Sequence, residues 1–168
     1  MHVFGTTGAQ LAEIAVACRR HASLNPVALY RDPITVDDVL ASPMISSPLH
    51  LLDCCVITDG GGAVLVVHPD LARDLKKPPV RLLGSAEAVA HTSAGHRDYL
   101  VSAAAQTGPR AFEEAGVSHD DIAMAMIYDS FTITVLMTLE DLGFCKKGEG
   151  GRFVEGGRLQ LGGDLPVN

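Results

Sequence analysis

Tryptophan is absent, and aromatic residues make up only 5% of the 168 positions. The core must be built from Ala, Val, Leu and Gly, which favours close helix-on-sheet packing over aromatic platforms. Positive charge is also scarce. Thirteen Lys and Arg stand against 20 Asp and Glu, for a net charge of −7. That excludes a general nucleic-acid binder, which needs a cationic surface to displace counterions. The longest basic cluster, Arg19-Arg20-His21, falls where a helix should end and suits the negative end of its dipole. Cys18, Cys54, Cys55 and Cys145 include no Cys-x-x-Cys pair, which argues against a structural zinc site and against a disulfide scaffold. Reduced thiols in a cytoplasmic protein fit best. No apolar run is long enough to span a bilayer. Met1-His2-Val3-Phe4-Gly5 has no basic region followed by an apolar stretch, so it does not read as a signal peptide.

What is present is ordinary for a globular chain: 47% apolar and 20% charged residues. Thr7 and Gln10 form a capping box, and Leu11, Ile14, Ala15 and Cys18 recur at helical spacing up to Asn25-Pro26. Residues 24–52 are loop-rich, with a short helix expected at Val36–Ala41 behind Thr35 and Asp38. Strands are expected at Cys54–Ile57 and Ala63–Val67, joined by a turn at Asp59-Gly60-Gly61-Gly62. A helix at Pro69–Leu75 and a strand near Val80–Val89 follow. Helices are then expected at Tyr99–Gln106 and Pro109–Ala115, a strand at Ile122–Ile127, and an apolar helix at Phe131–Leu142 stopped by Gly143. This alternation is the signature of an α/β layered fold. Residues 146–168 are Gly-rich loop, punctuated by Leu and Val. Both ends read as cut from a larger protein.

The segment most able to carry chemistry is Tyr128-Asp129-Ser130-Phe131. A buried strand delivers it at its carboxyl end and a helix begins at once, which is where open α/β sheets bind ligands. The plainer reading is that Asp129 or Ser130 caps the helix while Tyr128 hydrogen-bonds locally. Asp59-Gly60-Gly61-Gly62 does not fit a phosphate loop, because strand rather than helix follows the glycines. His50, His68, His91, His96 and His119 lack metal-ligand spacing and read as solvated.

The tetrad, with Leu139-Glu140-Asp141-Leu142-Gly143, Gly148-Glu149-Gly150-Gly151 and Leu165-Pro166-Val167-Asn168, resembles the sterol-carrier-protein-type branch of the thiolase superfamily. Asn25-Pro26, Thr35–Ser42 and Pro48–Gly62 are similar to the same branch, so the resemblance covers nearly the whole chain. It implies an incomplete thiolase-like α/β fold. Residues 1–52 would be the loop region, 53–78 the end of the N-terminal half, and 79–168 part of the C-terminal half.

The resemblance also implies acyl transfer on CoA thioesters, with a nucleophilic Cys, a His that activates it and oxyanion holes. The nucleophile would lie upstream of Met1 and the His beyond Asn168, so the chain is expected to be inactive alone. None of its four cysteines matches a catalytic position. Tyr128 and Asp129 would hold the oxyanion or acid–base position. Thr58, Asp59, Gly60, Arg31 and Phe131 would contact substrate, with Arg31 near a CoA phosphate or paired with Asp32 or Asp37. Coenzyme A would be part of the substrate, with no covalently bound cofactor.

Tyr128 stands where the branch carries Asn or His. A phenol can donate one hydrogen bond or act as acid or base. That departure points to an alternative: the thiolase-like aldolases, which cleave steroid side-chain β-hydroxyacyl-CoA and pair with an OB-fold partner. A third reading is a non-catalytic or partner-completed protein. A homodimer or higher oligomer is the expected state of the complete enzyme.

Overall fold

A computed structural model describes residues 1–89 and 98–168. His91 and His96 lie outside the described residues. Helix α1 (Gly8–Leu24) starts where the capping box places it. Thr7 Oγ1 accepts from Gln10 N at 3.2 Å, and Gln10 Oε1 accepts from Thr7 N at 3.0 Å. The second box is equally plain: Thr35 and Asp38 open α2 (Val36–Ala41). A two-stranded antiparallel hairpin follows, β1 (Met44–Ser46) with β2 (Leu49–His50), and then a 3-10 turn at Leu51–Asp53. Among the described residues the further α-helices are α3 (Pro69–Ala72), α4 (Ala104–Ala115), α5 (Thr132–Asp141) and α6 (Gly150–Phe153). Pro109 lies inside α4 instead of opening a helix of its own, and Gly116 ends that helix in the left-handed region at φ 66°.

The core lies where α1, α5 and the C-terminal stretch meet. Leu11, Ile14, Ala17, Ile127, Val135, Leu136, Leu139, Val154, Leu159, Leu165 and Val167 form one cluster. The inner face of α1 is rotated from the expected stripe. Leu11 and Ile14 are buried, but Ala12 and Ala17 take the other inner positions while Ala15 and Cys18 are half-buried. Residues 146–168, read as loop, close the core. Leu165 N donates to Arg158 O, Val167 N donates to Leu159 O, and Asn168 N donates to Ala125 O. Their Leu and Val side chains are what a mere linker would not need.

Two Gly-containing motifs are joined by one carboxylate. Glu140 Oε1 accepts from Gly148 N at 3.0 Å and Gly150 N at 2.9 Å, while its Oε2 meets Lys147 Nζ at 3.2 Å. A Cβ at Gly150 would lie 2.6 Å from Glu140 Oε1 and from Leu136 Cδ2, so a larger residue there would displace the carboxylate or the leucine. The basic cluster on α1 does more than match a dipole. Arg19 Nη1 donates to Asp32 O, Arg20 Nη1 donates to Gln160 Oε1, and His21 Nδ1 lies 2.8 Å from Asn168 O. His119, expected to be solvated, is exposed, and its ring also packs against Phe112 and Phe144, with Nε2 2.8 Å from Leu142 O.

The expected strands are the main correction. Cys54–Ile57, Ala63–Val67, Val80–Val89 and Ile122–Ile127 join no sheet among the described residues. Two isolated bridges remain, Cys54 with Phe131 and Ala125 with Val167. Ile57, Val64, Leu65, Val66, Val80, Leu82 and Val89 are 82–101% exposed. Continuous apolar strands of this kind need paired edges and a covering layer on each face, and the described chain supplies neither. The Asp59–Gly62 turn does not close a hairpin for the same reason.

Candidate functional site

The site begins with the junction between residues 122–128 and α5. Asn168 fixes that segment: Ile127 N donates to Asn168 Oδ1 at 2.7 Å, and Asn168 Nδ2 donates to Ile127 O at 2.8 Å. Asp53 fixes the start of α5. Its Oδ1 accepts from Thr132 Oγ1 at 2.7 Å and its Oδ2 accepts from His50 N at 2.9 Å. Cys55 N donates to Ser130 O. The tetrad is thus held between two anchors distant in sequence. Phe131 is the N-cap and no side chain caps α5. Neither Asp129 nor Ser130 plays that part: Ser130 Oγ lies 3.0 Å from Thr134 Oγ1, and Asp129 turns away.

Asp129 faces a cavity of about 240 Å³ between α1, residues 28–34, residues 52–56 and the chain's last residues. Cys18, Arg19, Tyr30, Cys54, Cys55 and Asn168 also line it. Cys18 Sγ donates to Asp129 Oδ2 at 3.9 Å. Arg19 stacks its guanidinium 5.5 Å from the centre of the Tyr30 ring. Tyr128 is not among the lining residues and is 78% exposed. Phe131 pairs with Cys54 at the rim. Thr58, Asp59 and Gly60 are exposed and lie outside the cavity. Arg31 is exposed and makes no ion pair with Asp32 or Asp37 among the described residues. The structure therefore gathers Asp129 and the α5 terminus, and leaves Thr58, Asp59, Gly60 and Arg31 apart from them. Cys18, Tyr30, Asp53 and Asn168 were not anticipated at the site. The partners Cys18 and Asp129 are 111 residues apart, and no local pattern signals such a contact.

Three of the four thiols are poorly suited to nucleophilic attack. Burial, then the Asp129 charge, pushes the Cys18 thiol up from its ordinary value. Burial, then the Asp53 charge, does the same to Cys54. Burial with Glu140 and Glu149 nearby pushes Cys145 up to about 11. A thiol must ionise to react. We expect iodoacetamide at pH 8 to label exposed Cys55 first. Cys145 should lag an ordinary thiol by about a hundredfold, the ratio of thiolate fractions for two pKa units. Peptide mapping by mass spectrometry reads the order, and fast labelling of Cys145 in the folded chain would contradict its environment.

Residues 86–168 match the family described as thiolase C-terminal domain-like. The chain is 39% identical to a steroid side-chain-cleaving aldolase of Thermomonospora curvata, covering 100% of this chain and 45% of that protein. It is 40% identical to an acetyl-CoA acetyltransferase of Methanothermobacter thermautotrophicus, covering 100% of this chain and 44% of that protein. The solved Ltp2-ChsH2(DUF35) aldolase superposes on the whole chain with a TM-score of 0.91 at 40% identity, over 46% of its own length. The chain thus spans less than half the length of these relatives, and its mixed helical and extended course is that of a partial thiolase-like fold. With both sequence and backbone in agreement along its full length, the chain belongs to the thiolase superfamily.

Proposed function

We propose that this chain forms part of a site that makes or breaks carbon–carbon bonds in CoA thioesters. The observation that carries the proposal is the placement of Tyr128–Phe131 at the uncapped start of α5, with Asp129 directed into the adjoining cavity. Free backbone N–H groups and a helix dipole there favour a developing oxyanion. Asp129 would accept or return a proton. The raised thiols of Cys18, Cys54 and Cys145 fit a nucleophile other than these three. The match of residues 86–168 supports reading residues 79–168 as part of the C-terminal thiolase half; residues 53–78 would end the N-terminal half and residues 1–52 would be the loop region.

Tyr128 favours a second reading, retro-aldol cleavage of a β-hydroxyacyl-CoA. Its phenol is largely exposed and makes no hydrogen bond among the described residues, so it is free to meet a substrate hydroxyl. Relatives of both kinds are similar to this chain, an aldolase and an acetyltransferase. An OB-fold partner and a homodimeric assembly belong to this proposal, as does a cytoplasmic setting.

The test replaces the matching stretch of the Methanothermobacter enzyme with these 168 residues. We expect the chimaera to act on CoA thioesters, and the isolated chain to show no thiolysis. Tyr128→Phe should cut retro-aldol turnover by roughly 10²–10⁴, the range for losing a general acid or base. Tyr128→Asn should instead raise thiolysis of acetoacetyl-CoA. A folded chimaera indifferent to both changes would remove Tyr128 from the chemistry, and thiolysis by the isolated chain would overturn the externally supplied nucleophile.

A further inference from the structure

Helix α5 begins without a cap of its own, since Phe131 holds the N-cap position and offers no oxygen from its side chain. An ordinary cap, Ser or Asp at that position, holds a helix start by accepting from one of its first N–H groups. Those are the groups that a developing oxyanion needs. Here they stay open: among the described residues neither Thr132 N nor Ile133 N has an acceptor. The start of the helix is held from outside instead. Asp53 stands opposite Thr132 in a short antiparallel register, in which Cys54 pairs with Phe131 and Cys55 N donates to Ser130 O at 3.1 Å.

Asp53 and Thr132 are both buried. Asp53 Oδ1 accepts from Thr132 Oγ1 at 2.7 Å, so the carboxylate holds a hydroxyl and takes no N–H of α5. Left to itself, a helical Thr hydroxyl turns back to a carbonyl of the preceding turn. The other carboxylate oxygen is committed away from α5: Oδ2 accepts from His50 N at 2.9 Å and has His50 Nδ1 at 3.5 Å. Asp53 thus ties the end of β2 to the first residue of α5. A buried carboxylate needs partners wherever it lies. What distinguishes this one is that it fixes a helix start and spends none of that helix's free donors. We propose that Asp53 is a positioning residue for the site: through Thr132 it aims the first N–H groups of α5 and leaves them unoccupied. This rests on the reading of Tyr128–Phe131 and the α5 terminus as a site for CoA-thioester chemistry. Asp53 touches no reacting atom, and its effect is on orientation. A misplacement of about 1 Å in such donors can cost roughly 10²-fold in turnover.

The experiment uses Thr132→Val, which keeps the branched shape and removes the hydroxyl, and Thr132→Ser, which keeps the hydroxyl. In the chimaera with the Methanothermobacter enzyme, Thr132→Val should lower kcat by about 10- to 100-fold and leave KM within about twofold. Thr132→Ser should hold kcat within about threefold of the parent. Asp53→Ala should lower kcat at least as far as Thr132→Val, and adding Thr132→Val in that background should change nothing more, because both remove the same bond. Assays run well below each unfolding midpoint, where lost stability alone leaves kcat unmoved. Should Asp53→Ala fail to fold, the two Thr132 variants decide. In the 168-residue chain itself, amide exchange at Thr134 and Val135 should quicken about tenfold in Thr132→Val and stay unchanged in Thr132→Ser. An unchanged kcat for Thr132→Val in an active chimaera, equal losses for the two Thr132 variants, or additive losses in the double variant would each overturn the proposal. A parent chimaera inactive on CoA thioesters, with exchange responding as stated, would count against the reading of the site alone.

Discussion

Glu140→Ala should cost about 3 kcal/mol of stability, among the largest effects any single polar residue of this chain can give. The carboxylate is buried, and it accepts from two glycine N–H groups while meeting a lysine. Its loss strands buried N–H donors at about 1–3 kcal/mol each. It also leaves Lys147 with Asp141 alone, and that carboxylate is already committed to Ser102 N. Lys147 is partly exposed and recovers some hydration, which keeps the total below the 3–5 kcal/mol of a fully buried broken pair. Glu140→Gln retains an oxygen for both glycines and should cost only about 1 kcal/mol. Urea unfolding separates the two variants, and a Glu140→Ala midpoint equal to the parent's would show that the glycine turn holds itself.

Leu139→Ala should cost about 2–5 kcal/mol. Leu139 is 0% exposed and belongs to the single cluster that joins α1, α5 and the C-terminal stretch. Against a total of roughly 5–15 kcal/mol, that loss leaves a large unfolded population. Leu65→Ser is the informative contrast, since Leu65 is almost bare. It should change the midpoint by no more than about 0.5 kcal/mol and reduce self-association, read by sedimentation. Equal destabilisation by the two changes would mean that the exposed segment is part of the folded core after all.

The difference between those leucines marks the limit of what the sequence reveals. Local rules were legible at the capped helix ends, though not at Pro109, which lies inside α4. Thr7 with Gln10 and Thr35 with Asp38 start helices where their side chains reach the backbone, and Gly116 stops one where a left-handed residue is needed. Each depends on groups three or four residues apart. The strands were legible as apolar runs but not as a sheet, because a ladder needs a second strand and the runs do not say which. The apolar helix α5 is covered by α1, α6 and the C-terminal stretch, and the bare surface lies on the extended segments. At the site, Asp129 and the α5 terminus could be foreseen from strand-then-helix order. Asp53, Cys18 and Asn168 could not, since their bonds to the site span 41 to 111 residues and leave no periodic trace.

The arrangement of the core also sets an order of events during synthesis. Leu11, Ile14 and Ala17 on α1 are buried by residues as late as Val167. At about 5–20 residues per second, roughly 8–30 s separate the emergence of that helix from the emergence of those partners. For that interval α1 can rest on α2 and the turn at Leu51–Asp53, while the part of its stripe that meets the C-terminal stretch stays uncovered. The capping box of Thr7 and Gln10 needs no distant partner to form, and it keeps the helix ready for partners that the ribosome delivers much later.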